Sequence, residues 1–122
     1  MATFKKFEEI IAWQKARTVT RLVYEMTSDG RFARDFGLRD QIRRACVSIM
    51  ANIAEGHGRR TDKEFANFLN MARGSACEVQ SHLYVALDLG YVVQDSFAVV
   101  YDLLEEISRM TIALSQRLRA PR

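Results

Sequence analysis

The sequence predicts an all-α fold, an antiparallel up-down-up-down four-helix bundle. Three observations carry that expectation. The single proline of the 122 residues is Pro121, so no proline interrupts the interior of the chain. Apolar residues recur at three- and four-residue spacing along four long segments. The gaps between those segments are short, which favours antiparallel neighbours.

The first segment spans residues 7–26, where Ala12, Ala16, Val19, Val23 and Met26 share one helical face. Ser28-Asp29-Gly30 then supplies stop-and-turn chemistry, and residues 29–35 read as a gap. The second segment, 37–55, carries the stripe Leu38, Ile42, Ala45, Ile49 and Ile53. Gly56 stands where a left-handed C-cap is expected, and Gly58 keeps the next turn permissive. The third segment, 62–89, opens with Thr61 and Glu64 at capping-box spacing, and Asp62 adds negative charge to the first turn. Phe65, Phe68, Leu69, Ala72, Ala76, Val79, Leu83 and Leu87 form its stripe, and Gly90 ends it. The fourth segment, 96–118, is a heptad seam of Phe97, Val100, Leu104, Ile107, Thr111, Leu114 and Leu118. Neither a repeat nor a low-complexity tract divides the chain, so residues 1–122 are expected to form one domain.

Hydrophobic residues make up 48% and charged residues 27%, a globular balance that excludes disorder. The formal charge of +3 and a pI of about 9.1 are a mild basic bias, compatible with an acidic partner. Cys46 and Cys77 fit neither metal nor redox spacing, which reads as a reduced, intracellular chain. The N-terminus lacks the apolar run of a signal peptide, and no stretch is long enough to span a bilayer. A cytoplasmic protein without a membrane role is the expectation.

Two faces are left over once a core is filled. Val99, Leu103, Met110 and Leu114 widen the apolar arc of the fourth helix beyond its seam. Asn67, Gly74 and Ser81 repeat every seven residues on the side of the third helix away from its core stripe. A mid-helix glycine costs about 1 kcal/mol against alanine, and close approach of another backbone would explain it. Self-association through Gly74, Ser81, Val99, Leu103 and Met110 is one reading; a tolerated glycine beside scattered surface apolars is the other.

Charge is also uneven. Between Arg31 and Arg60 seven arginines face Asp35, Asp40 and Glu55, a net of +4, whereas Thr61 to Gly90 carries a net of −2. Arg39 and Arg43 lie one turn apart and repel unless something neutralises them. Phosphates would do so, with Arg39, Arg43, Arg44, Arg59 and Arg60 as donors to RNA or DNA. The alternative is that Asp35 pairs with Arg39, Asp40 pairs with Arg44, and water solvates the rest.

Catalytic chemistry finds little support. Glu78 and His82 stand one turn apart, as metal ligands can, but no second pair accompanies them. Neither cysteine has a histidine at meaningful spacing, and neither a phosphate loop nor a nucleophile elbow is present. No metal and no cofactor is expected. A site built on Glu55, Arg73 and Glu78 is the enzymatic rival to a non-enzymatic chain.

Two stretches are distinctive: QIRRACVSIMANIAEGHGR, from Gln41 to Arg59, and EFANFLNMARGSACE, from Glu64 to Glu78. Together they closely resemble the bacterial four-helix-bundle family of the 23S rRNA intervening-sequence proteins, itself similar to the accessory protein of diversity-generating retroelements. The resemblance implies a homo-oligomer, a pentameric ring in family members. It also implies a basic surface, which in the retroelement protein serves nucleic-acid and reverse-transcriptase binding. For most family members the function is unknown. Read physically, Gln41, Ser48, Asn52 and Glu55 border the core stripe of the second helix. Arg73, Gly74, Ser75 and Glu78 surround the midpoint of the third. With Gly56 at the helix end, these groups are expected to form a buried or half-buried network that fixes helix register. Two partners therefore stand beside self-association: nucleic acid or a nucleoprotein, and a protein with no nucleic-acid role.

Overall fold

A computed structural model describes residues 4–121. A 3₁₀ turn, Phe7–Glu9, leads into α1 (Ile11–Met26), followed by α2 (Gly30–Arg34), α3 (Phe36–His57), α4 (Asp62–Asp88) and α5 (Gln94–Arg119). Among the described residues there is no strand. The four long helices form a closed square in which α1 and α4 each lie between α3 and α5. Each helix therefore neighbours the next in sequence, and α5 returns beside α1, as an up-down-up-down bundle requires.

Helix boundaries depart from the sequence reading in three places. The first segment is not one helix, because Ile10 leaves helical geometry (φ −76°, ψ 117°) and buries its side chain to 2% exposure. The expected gap after α1 contains the short helix α2. Phe32 drives it: this side chain is 2% exposed and stacks on Tyr91, 5.3 Å between ring centroids. Residues 56 and 57 are also helical, so Gly56 lies inside α3 and is not a C-cap. Its φ is not positive, and neither is that of Gly58.

The reason for Gly56 is contact. A Cβ there would stand 2.7 Å from Phe68 Cβ and 3.0 Å from Phe65 Cδ1. Glycine at this point lets α3 and α4 close together. Gly58 caps α3 in right-handed geometry (φ −78°), and the glycine that ends a long helix with positive φ is Gly90, at 72°. Tyr91 N donates to Ala86 O at 2.8 Å and Gly90 N to Leu87 O at 3.0 Å, the paired bonds of a Schellman cap. At the other end of α4, Thr61 Oγ1 accepts from Glu64 N and donates to Glu64 Oε1, both at 3.1 Å.

One end of the bundle is clasped by polar side chains. Arg31 Nη2 donates to the carbonyls of Leu89 and Gly90 and lies over the Tyr91 ring. The Tyr91 hydroxyl donates to Asp35 Oδ2 at 2.9 Å, and Asp35 Oδ1 accepts from Leu38 N, capping α3. The core between the helices is aliphatic: Val19, Val23, Ile42, Ile49, Ile53, Leu69, Val79, Leu83, Leu104 and Ile107 are at most 1% exposed. Burial of each such side chain contributes about 1.5–3 kcal/mol against conformational entropy.

Candidate functional site

The five arginines expected to meet phosphate do not converge. Arg43 points along the α1 flank of α3, where its Nε donates to Thr27 Oγ1 at 2.7 Å and its Nη2 to Thr27 O at 3.1 Å and Tyr24 O at 3.4 Å. The guanidinium also lies over the Tyr24 ring, 4.4 Å from its centroid. These bonds satisfy carbonyls that the end of α1 leaves without helical partners. Arg39 does the same for α2: Nη1 donates to Ala33 O at 3.0 Å, Nε meets Asp40 Oδ1 at 2.9 Å, and Phe36 lies beneath it. Asp40, not Asp35, is thus the acid beside Arg39. Arg59 pairs with Glu55 at 3.5 Å and covers Phe68. Arg44 and Arg60 are exposed and, among the described residues, have no side-chain partner. Arg44 lies one residue from Arg43 and so turns about 100° away, toward the α4 side of α3. Arg59 and Arg60 stand at the far end of α3, fifteen or more residues and about 22 Å from Arg44.

The expected polar network is smaller than the motif suggested. Ser48 Oγ and Ser75 Oγ are 2.9 Å apart across the α3–α4 seam, and Asn52 Nδ2 donates to Ser48 O at 2.9 Å and Ser48 Oγ at 3.1 Å. Those three residues form one half-buried unit. Glu55 is exposed with Arg59, and Glu78 meets His82 at 3.3 Å within its own helix. Gln41 is exposed and has no hydrogen bond among the described residues. Arg73 is exposed on the other flank of α4, because two residues of helix separate it from Ser75 by about 200°. The Glu55, Arg73 and Glu78 side chains therefore do not share a cleft.

A second set of hydrogen bonds, absent from the sequence reading, ties α4 to α5. Gln80 Nε2 donates to Glu105 Oε2 at 2.8 Å, Arg119 Nη2 to Asn67 Oδ1 at 2.6 Å, and Ser115 Oγ to Asn70 Oδ1 at 3.5 Å. The available signal was that Asn70, Arg73, Cys77 and Gln80 recur at helical spacing beside the core stripe. Which helix they face is not written in that spacing.

Titratable and soft ligands are scattered. Among the described residues no group of three His, Cys, Asp or Glu side chains is placed to hold a metal. His57 bonds the Phe4 carbonyl at 2.9 Å and ties the N-terminal segment to α3. Cys46 is buried, and burial pushes its thiol up to about 12, the opposite of an activated nucleophile. No described helix is long and apolar enough to cross a membrane.

The spare apolar faces are the most developed surface feature. Val99 is 57% exposed, and Leu103 and Met110 are half-buried on the α1 side of α5. Between α1 and α5 lies a depression of about 690 Å³ lined by Ile11, Met110, Ala113 and Leu114. A second, of about 300 Å³, is lined by Leu22, Met26 and Val99. Lys15 and Glu106 meet between them at 2.9 Å. On α4, Gly74 opens to solvent with nothing within 4 Å of an added Cβ, and Ser81 is exposed nearby on the same face. Met71 and Val85 beside them are 49% and 43% exposed.

Fold and surface together define a helical-bundle protein with a polar α3–α4 seam, arginine-capped helix ends and unfilled apolar faces. The sequence profile of the 23S rRNA-intervening sequence proteins matches residues 8–113, and the chain belongs to that family. It is similar in structure to a protein of unknown function from the S23 ribosomal protein family of Bacteroides thetaiotaomicron VPI-5482. The two share 24% identity and a TM-score of 0.77 over 86% of this chain and 98% of the other. That likeness is one of fold. No curated protein matches the sequence.

Proposed function

We propose that this protein is a cytoplasmic, non-enzymatic scaffold that assembles from copies of itself and presents a fixed surface to a further partner. The observation that carries this reading is the excess of apolar surface beyond what one bundle uses. Val99, Leu103 and Met110 border one side of α5, while Met71, Gly74, Ser81 and Val85 lie on the outward side of α4. Exposed apolar side chains also stand elsewhere, Phe36, Val47 and Val93 among them, but several gathered along one helix face is the pattern of a protein that buries that face against another chain. A closed ring, as the family resemblance implies, satisfies both faces at once.

Nucleic acid or a nucleoprotein is the second reading, favoured by the exposed Arg44 and Arg60, which are free to meet phosphate. Arg39 and Arg43 contribute less, because their donors are already engaged by backbone carbonyls. A partner protein is the rival, and salt separates the two. Light scattering on the purified chain should give a mass several times 14.0 kDa. Fluorescence anisotropy with RNA and DNA at several salt concentrations should show affinity falling steeply with salt and weakened by R44A/R60A. A monomeric mass at all concentrations overturns the scaffold. An oligomer without affinity for either polymer at low salt overturns the nucleic-acid reading and leaves the protein partner.

A further inference from the structure

The charges of the chain are segregated. Between Gly74 and Ser108 stand six of its 15 acidic residues and none of its 18 lysines and arginines. This stretch is the second half of α4, the turn after it and the first part of α5. Glu78 meets His82 and Glu106 meets Lys15. The other four acids, Asp88, Asp95, Asp102 and Glu105, are exposed and form no ion pair among the described residues. Arg73 and Arg109, which bound the stretch, pair with none of them.

These acids stand around an aromatic platform. The Gln80–Glu105 hydrogen bond and the Tyr84–Tyr101 ring contact fix the antiparallel register of α4 and α5. Tyr84 rests against Phe97, 5.0 Å between ring centroids, and meets Tyr101 edge-on at 5.7 Å. Phe97 and Tyr101 stack on each other at 5.3 Å. Phe97 is buried, so the platform is anchored in the core while Tyr84 stays 49% exposed. Asp88 lies one turn beyond Tyr84 on α4, and Glu105 one turn beyond Tyr101 on α5. Asp102 adjoins Tyr101, and Asp95, seven residues earlier, shares the stripe of Asp102.

Elsewhere the chain covers such rings with arginine. Arg43 lies over Tyr24 and Arg39 over Phe36, at 4.4 and 4.8 Å from the ring centroids. Arg17, Arg31 and Arg59 cover half-buried rings in the same way. Tyr24, Phe36 and Tyr84 are the exposed aromatic residues, and among the described residues only Tyr84 of the three has no guanidinium over it. A ring face attracts a cation through its quadrupole, and neighbouring carboxylates strengthen that attraction. Tyr84 has the carboxylates without a cation of its own chain.

We infer that the Tyr84 face binds an arginine-bearing segment of a partner protein, with a guanidinium on the ring and its edge donating to the carboxylates beside it. Arginine suits the site better than lysine, because its planar head can stack on a ring and fork to a carboxylate at once. The same carboxylates repel phosphate, which separates this face from any surface for nucleic acid. Among the described residues no three of these acids are placed to hold a metal. The inference rests on the partner-binding half of the scaffold reading and gives that partner its chemistry. It does not rest on self-association, because the patch is complete within one chain.

A dye-labelled peptide alternating arginine and glycine tests it by fluorescence anisotropy with the full chain at low salt, where exposed charges are least screened. The chain carries +3 overall, so general attraction opposes the binding of this peptide. Wild type should bind it, and bind the lysine counterpart more weakly. Tyr84→Ala should weaken binding about two- to fivefold, while Tyr84→Phe, which keeps the ring, should preserve it. D88N/D102N should weaken it about two- to tenfold. E8Q/E25Q makes the same change of charge at exposed positions elsewhere and should leave affinity unchanged. Circular dichroism reports whether each variant is folded, and D88N/D102N decides the matter if Tyr84→Ala is not. An arginine peptide that does not bind, or that binds folded Tyr84→Ala and D88N/D102N as tightly as wild type, overturns the inference and leaves the scaffold reading to its own test of mass. Equal weakening by E8Q/E25Q and D88N/D102N overturns the site in favour of diffuse charge attraction. A lysine peptide bound as tightly overturns the guanidinium assignment. A fall in the light-scattering mass of folded Tyr84→Ala assigns the face to a second copy and overturns the partner protein.

Discussion

Replacing Gly56 with alanine adds one methyl group where α3 and α4 touch. That methyl would lie 2.7 Å from Phe68 Cβ. Carbon atoms rest at about 3.5–4.0 Å, so the shortfall is about 1 Å. The opposing atom is fixed to the α4 backbone, not to the end of a flexible side chain, so relief requires the helices to part or Phe65 and Phe68 to repack. Over-packing of this kind costs about 1–3 kcal/mol, and a rigid neighbour places it at the upper end. Alanine returns up to about 1 kcal/mol of helix propensity. The net is a loss of about 2 kcal/mol, a fall in Tm of about 6–10 °C for a chain of this size. Gly74→Ala is the matched control. Its methyl meets nothing within 4 Å, so the propensity gain stands alone and raises the Tm of the monomer by about 3–5 °C. Both are measured by circular dichroism at 222 nm, at one low concentration, because association shifts an apparent Tm. A Gly56→Ala protein as stable as wild type would refute the argument that this glycine exists for helix contact.

Arg43→Ala should lower stability by about 1–2 kcal/mol in urea titration, because it strips a partly buried cation from the end of α1. Arg44→Ala should change it by less than about 0.5 kcal/mol, as a surface substitution without partners. With a disulfide-exchange thiol reagent at mildly alkaline pH, the native chain should react at Cys77 alone. Cys46 should join only in denaturant, since it is buried with its thiol pushed up to about 12. Lys15 holds the Glu106 carboxyl below its ordinary value of 4.5. A depressed carboxyl stabilises the folded state above that value, and the contribution disappears as pH falls through the lower, folded one. Glu106→Gln should therefore lower the Tm slightly above about pH 4.5 and converge with wild type at the acid end, so that the acid limb of the Tm-against-pH profile is flatter.

Periodicity alone was enough for the four long segments and most of their buried stripes. Helical spacing is a local property, so Ile42, Ile49 and Ile53, or Leu104 and Ile107, mark a core face before any partner is known. The capping box at Thr61 and the helix stop at Gly90 are local too, set by a few neighbouring residues. The surplus apolar surface was legible for the same reason: Val99 and Met110 lie outside the seam whatever the seam faces.

What tertiary structure decided is which flank meets which neighbour. Arg39 and Arg43 look like a phosphate-binding pair until the ends of α1 and α2 are placed beside them and take up their donors. Ser75 and Arg73, two residues apart, turn out to face α3 and α5 respectively, which divides a motif that is continuous in sequence. Gly56 and Gly74 are alike as letters. One is buried against Phe68 and the other opens to solvent, because the distance from a glycine to another helix depends on the packing of the whole bundle.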